Sequence, residues 1–160
     1  ERIGDYSINI LQCAQRIHEE EITLSKNAWA ELDQLEKCAG KALGVANDAF
    51  AAEDAVLAAQ VEPLEQTVDE MCDALRERHI GRLKRGECSI EGGVVFLDVL
   101  TNTERISDHC SNIAARLIGD ETDDPDMHAR KHSLLAGKDA AFNARLATYE
   151  QKYLAPLGEK

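Results

Sequence analysis

Glutamate and aspartate recur in this chain as Glu-x-x-x-Asp pairs, and these are the residues whose type and spacing could do chemistry. Residues 1–10 read ERIGDYSINI and residues 104–113 read ERISDHCSNI. Six of the ten positions match: Glu1/Glu104, Arg2/Arg105, Ile3/Ile106, Asp5/Asp108, Asn9/Asn112 and Ile10/Ile113. Glu and Asp four residues apart share one helical face, with Cβ atoms about 6 Å apart, and Asn9 and Asn112 extend the same two lines. Like charges so placed repel by a few tenths of a kcal/mol in an isolated helix. A pair that appears twice therefore needs compensation, which Arg105 or a bound cation could supply. At about 100° per residue, Glu104, Asp108 and Asn112 fall roughly opposite Ile106, Ile113 and Leu117, at or near the surface. Glu65 and Asp69 form a third such pair on the preceding helix. If those two helices are antiparallel neighbours, Glu65, Asp69, Glu104 and Asp108 converge. Four carboxylates around one point make a hard-oxygen site for Mg²⁺, Mn²⁺, Fe or Ca²⁺. Paired lines across two helices can also hold more than one ion. The bland alternative is a solvated helix face, since the chain has 30 acidic residues.

Other residues offer less. His79 and His109 could add ligands, although a lone histidine on a helix is usually a core or surface residue. His128 and His132 stand four apart, a weak transition-metal pair or simply a solvated helix start. Asp120, Glu121, Asp123 and Asp124 lack the spacing of a calcium-binding loop and read as a solvated loop that favours the next helix N-terminus. Trp29, beside the apolar stripe of its helix, is expected to be partly buried. No nucleophile triad order, phosphate-binding loop or dinucleotide fingerprint is present. A carboxylate site with two ions could hydrolyse phosphate esters, and a metal-dependent phosphoesterase is the enzymatic alternative to a non-catalytic reading.

The elements that must position these acids are helices. Aromatics make up only 4% of the chain and prolines number three, a mixture that favours helix over strand; Val94, Val95 and Phe96 alone could read as a strand. One helix is expected over about 1–21, with Ile3, Ile10, Ala14 and Ile17 as its stripe. A second follows an N-cap at Ser25 and carries Ala28, Leu32, Leu35, Ala39, Ala42, Ala46 and Ala49. A third is expected over about 53–81, where Pro63 marks either a kink or the true start. Glycines 81, 86, 92 and 93 punctuate the next turn. A fourth helix is expected over about 90–118, with Val99, Ile106, Cys110, Ile113 and Leu117 facing inward. A fifth should begin with Asp124 as N-cap and Pro125 in its first turn and run to about Leu154. Helices of this length joined by short loops imply an all-α, up-and-down bundle.

The net charge is −12. The best basic patch, Arg76, Arg78, Arg82, Lys84 and Arg85, is short and mixed with acids, so nucleic acid is not an expected partner. Five cysteines without a Cys-x-x-Cys pattern read as small apolar residues in a reducing compartment. No apolar run is long enough to span a membrane. The 103-residue offset of the repeat implies two copies of a three-helix unit. The expected division is 1–22 as the last helix of a truncated first copy, 23–119 as a second copy, and 120–160 as an acidic loop and C-terminal helix. The chain opens on Glu1, and the expectation is a segment of a longer protein. Apolar surface left exposed on the half-complete unit would favour a homodimer.

The twin ERIGD and ERISD runs resemble the paired signature of PhoU phosphate-transport regulators. Val61-Glu62-Pro63-Leu64-Glu65, Arg78-His79-Ile80, Gly86-Glu87-Cys88, the run from Glu104 to Ile113, and the late Tyr149-to-Tyr153 stretch resemble more closely the cytosolic C-terminal PhoU-like domain of bacterial sodium/phosphate cotransporters. The resemblance covers residues 1–119 well and the last helix loosely. It implies two tandem three-helix bundles, each with acid lines on adjacent helices. Glu65, Asp69, Glu104 and Asp108 would form one patch and Glu1 and Asp5 half of another, with a divalent or trivalent ion (Fe, Mn, Mg or Zn). It also implies a non-catalytic regulatory role in phosphate homeostasis at the cytoplasmic face of the cell membrane, with the transmembrane transporter domain of the same protein as partner. The alternatives are a stand-alone phosphate-uptake regulator and a structural bundle that docks through its acidic face.

Overall fold

A computed structural model describes residues 1–119 and 140–158. Helix α1 spans Arg2–Glu19, α2 Lys26–Ala52, α3 Ala55–Ala58, α4 Val61–Lys84, α5 Ile90–Ile118 and α6 Ala140–Tyr149. The last of these runs on into a π-helical turn over Glu150–Leu154 and a 3-10 turn over Ala155–Leu157. Among the described residues there is no strand, and Val94, Val95 and Phe96 lie inside α5. The expected Asp124 cap, Pro125 start, His128/His132 pair and the acidic loop beyond Gly119 lie outside the described residues.

Local chemistry sets the boundaries. The Ser25 hydroxyl accepts the Ala28 N–H at 3.1 Å and starts α2. Ser89 does the same for Gly92 at 3.0 Å and starts α5. The third segment divides in two. Helix α2 ends at Glu53 in a left-handed conformation, and Asp54 caps the one-turn α3 by accepting from Val56 and Leu57. Pro63 then falls in the first turn of α4, where its missing N–H has no intrahelical partner to lose. It marks the start of a helix, not a kink. Gly119, at φ 93°, closes α5.

The long helices α1, α2, α4 and α5 alternate in direction along the chain, which leaves α2 and α5 packed parallel. The Glu31 carboxylate on α2 meets Arg82 on α4, while Cys38 on α2 lies against the Leu64 carbonyl. Ser111 on α5 donates to Glu62 on α4, and Cys72 on α4 approaches the Leu100 carbonyl at 3.7 Å. Tyr6 on α1 stacks on His109 of α5, and Asn9 donates to Asn102 at 2.9 Å. Helix α5 thus packs on α1, α2 and α4, and α4 also carries α6. The core between them includes Leu35, Ala42 and Ala46 of α2, Leu64, Met71 and Leu75 of α4, and Phe96 and Leu100 of α5. The α2 stripe lies inward as the spacing predicts, with Leu32 at its partly buried edge.

On α5 the stripe is shifted. Phe96, Leu100, Thr103, Ser107, Cys110 and Ala114 are buried, while Val99, Ile113 and Leu117 are only partly so. The expected stripe mixes two faces, because this helix is covered on more than one side. Trp29 is 50% exposed, at the wall of an apolar groove of about 400 Å³ where α1 and α2 flank α5. Ile10, Ile17, Leu32, Leu43 and Val99 also line it.

At the far end of α4 sits a buried ion pair that the sequence does not announce. Glu31 is 5% exposed, and its two oxygens accept from Arg82 at 2.8 and 2.7 Å. Arg78 stands 3.5 Å from the same carboxylate and donates to the Gly158 carbonyl. Arg82 lies over the Phe96 ring, and His79 stacks on that ring at 4.8 Å. The expected ligand candidate His79 is therefore a core residue, 1% exposed, with no hydrogen bond at either ring nitrogen among the described residues. A Cβ at position 93 would lie 2.8 Å from its Nε2, so glycine makes room for the ring.

Two outcomes follow from this end of the bundle. Glu31→Gln leaves Arg82 buried without its charge partner and should destabilise the fold by about 3–5 kcal/mol, read by urea denaturation. Burial, reinforced by Arg82 and opposed by Glu31, holds the His79 imidazole below its ordinary pKa. The unfolded chain then binds the extra proton. The contribution of neutral His79 is complete above about pH 6.5 and is lost as pH falls below it. His79→Phe should flatten the pH dependence of stability below that value by up to about 1.4 kcal/mol per unit, and an unchanged slope would sink this assignment.

Candidate metal centre

The α4–α5 seam brings acids of α4 to an acid of α5 that is 39 or more residues away in sequence. Glu65 and Asp69 stand one turn apart on α4, and Asp108 faces them from α5. Each offers one carboxylate oxygen, and these oxygens all lie within 4.8 Å of one another. Glu65 is 1% exposed, and Asp69 and Asp108 are partly buried. At an effective dielectric near 20, two unit charges at this distance repel by about 3 kcal/mol. Three ionised carboxylates so close call for a compensating positive charge. Arg105, with Nη1 3.5 Å from Asp108, supplies part of it from the solvent side.

The donor set fits a hard cation. One ion bound at about 2.1–2.5 Å holds two opposed oxygens roughly 4–5 Å apart, and these oxygens lie within 4.8 Å of one another. All three donors are oxygens, with no sulfur or imidazole among them. The same seam also carries polar atoms left without a hydrogen bond among the described residues. They are Glu62 Oε1, one turn before Glu65, and the fully buried Ser107 hydroxyl, next to Asp108.

The remaining expected ligands stand elsewhere. Glu104 lies one turn before Asp108, but its carboxylate accepts from Arg76, and it is not in the converging group. Glu1 and Asp5 are exposed on the first turn of α1, where they line a shallow pocket with Arg2 and Tyr6. Asn9 bonds across to Asn102, and Asn112 faces out. His109 is stacked on Tyr6. Glu62 is the residue that pattern reading passed over. It is 9% exposed and accepts from the buried Ser111 hydroxyl. Its place three residues before Glu65, between apolar Val61 and Leu64, is the signal that marks an acid turned inward.

The rest of the chemistry-bearing side chains are engaged or inert. Arg76 meets Asp73 as well as Glu104, and Arg85 meets Glu87 at 2.6 Å, so with Arg78 and Arg82 on Glu31 most of the basic run is neutralised within the fold. All five cysteines are free thiols. Burial pushes the Cys38 thiol up to about 12 and the Cys110 thiol up to about 11, so both stay protonated and pack as small apolar groups.

Comparison with known proteins gives the family. The PhoU domain family matches residues 32–117, which span α3 and α4, nearly all of α5 and most of α2. The phosphate-specific transport system accessory protein PhoU homolog 1 of Thermotoga maritima is 33% identical over 125 residues, covering 76% of this chain. The chain spans about half the length of that relative, 52%. No solved structure matches at a significant level. With a family match over more than half its length, the all-α chain belongs to the PhoU domain family.

Proposed function

We propose that this chain is a non-catalytic regulatory module of phosphate transport. In this reading a hard metal ion bridges α4 and α5 at Glu65, Asp69 and Asp108. The convergence of three carboxylates from two helices carries the reading. Family membership supports the phosphate-transport role, as does the similarity to a protein named as an accessory of phosphate-specific transport. The oxygen-only donors favour Mg²⁺, Mn²⁺ or Fe over Zn²⁺. The ion neutralises charge that otherwise strains the seam, and because its ligands lie on both helices it favours their packed arrangement.

The finer assignment is to the cytoplasmic face of a sodium-coupled phosphate transporter, with the transmembrane domain of the same protein as partner. It rests on the sequence resemblance of the Val61-to-Glu65, Arg78-to-Ile80, Gly86-to-Cys88, Glu104-to-Ile113 and Tyr149-to-Tyr153 stretches. No described helix is long and apolar enough to cross a membrane, so contact with such a domain would be by docking. The exposed apolar groove beside Trp29 offers a surface for that contact or for a second copy of the chain.

Elemental mass spectrometry on tag-free protein, together with thermal unfolding, tests the ion. Saturating Mn²⁺ at about 100 times Kd should add about 2.7 kcal/mol of stability, a rise of roughly 5–10 °C in melting temperature. Asp69→Asn/Asp108→Asn should stay helical and show neither bound metal nor the shift. Metal-free wild type with an unmoved melting temperature in Mg²⁺, Mn²⁺ and Fe²⁺ overturns the metal reading. Metal-dependent turnover of a phosphate ester would replace the non-catalytic reading with the enzymatic one.

A further inference from the structure

The fourth acid of the α4–α5 seam is close to the centre but turned from it. Ser111 bonds to Glu62, and Cys72 lies against the Leu100 carbonyl. That register puts residue 104 level with residue 69 across the seam. The Glu104 backbone therefore stands beside the three converging carboxylates, one helical turn from Asp108. Its carboxylate instead reaches along α4 to Arg76, two turns beyond Asp69. Arg76 has a second acceptor, Asp73 Oδ1 at 2.9 Å, so release of Glu104 would not leave its guanidinium unpaired. Both partners are partly exposed, with the Arg76 and Glu104 side chains at 30% and 31%. Ion pairs of this kind contribute up to roughly 1 kcal/mol. A cation among four carboxylates can outbid such a contact.

We propose that Arg76 is the competitor of the cation for Glu104, so that the Arg76–Glu104 pair sets how tightly the centre holds its ion. This rests on the metal reading above. With Arg76 engaged, the ion meets three carboxylates; when it draws Glu104 across, it meets four, and Arg76 falls back on Asp73. The switch changes the charge of the site by one unit without any movement of backbone. It makes Arg76 a residue that tunes affinity without itself touching the ion.

A double-mutant cycle read by Mn²⁺ titration calorimetry tests this on the 160-residue chain, with Arg76→Gln, Glu104→Gln and the double variant beside wild type. The expected result is about tenfold tighter Mn²⁺ binding in Arg76→Gln, from the lost competition and the lost positive charge. Glu104→Gln should weaken binding, and adding Arg76→Gln in that background should restore little. Equal tightening in both backgrounds would mean that Arg76 acts only through its general charge, and the competition is overturned. Unchanged or weaker binding in a folded Arg76→Gln overturns it as well, while the metal reading stands. Circular dichroism and melting temperature identify a misfolded variant, and Arg76→Lys, which keeps the charge but loses the forked donor, should then show the tightening in reduced form. If no variant and no wild type binds Mn²⁺, the metal reading fails and the competition with it.

Discussion

Helix α5 has α1, α2, α3 and α4 as neighbours, and its 29 residues must satisfy all of them. One side meets α1 through His109 and Asn102, and another meets α2 and α4 through Phe96, Leu100, Cys110 and Ala114. A helix buried on several sides cannot spare a broad polar face, so its acids are confined to the edges of its contacts. Asp108 falls on one such edge, where α4 presents Glu65 and Asp69. The carboxylate cluster is a consequence of that crowding. A seam that needs polar residues at its margin, in a chain of net charge −12, receives acids from both sides.

The cations are distributed unevenly against that charge. Arg82 and Arg78 attend to Glu31 deep in the bundle, Arg76 to Glu104 and Asp73, and Arg85 to Glu87. Beside the three converging acids, Arg105 stands 3.5 Å from Asp108 with its side chain 58% exposed. An exposed pair of that geometry contributes little.

Much of this was legible in the sequence, for physical reasons that differ by residue. The helices follow from the 3–4 apolar spacing and from Ser25 as a cap, because local hydrogen bonding and amphipathicity are encoded locally. The bundle topology follows from loop length. Glu65, Asp69 and Asp108 were readable as partners once α4 and α5 were taken as antiparallel. The inward stripe of α5 was misjudged because a single amphipathic stripe assumes one covered side. The division of the third segment at Ala59 and Gln60 was half visible in Pro63. The partner of Glu31 was not legible. Glu31 stands on the buried stripe of α2, three residues after Ala28 and four before Leu35, but only the tertiary approach of Arg82 shows what satisfies it there. The diversion of Glu104 to Arg76 was equally hidden, since rotamer choice between two possible partners is decided by distances that spacing does not give.

Taken together, the two polar clusters explain how a bundle with an Ala-rich interior holds one register. Small apolar faces such as Ala39, Ala42, Ala46 and Ala49 pack closely but discriminate weakly between one alignment and the next. Helix α4 is pinned at both ends instead. Arg82 ties its C-terminal end to α2, and Glu62, bonded to Ser111, ties its N-terminal end to α5, with Val68, Met71, Cys72 and Leu75 between. Seventeen residues of helix separate Glu65 from Arg82, about 25 Å. A slip by one turn at either end would leave a buried charge unpaired, which is far more costly than any loss of alanine contacts. The carboxylate centre lies at the pinned end nearest the α3–α4 break. The Glu62–Ser111 bond closes the α4–α5 seam beside it, where α4 begins.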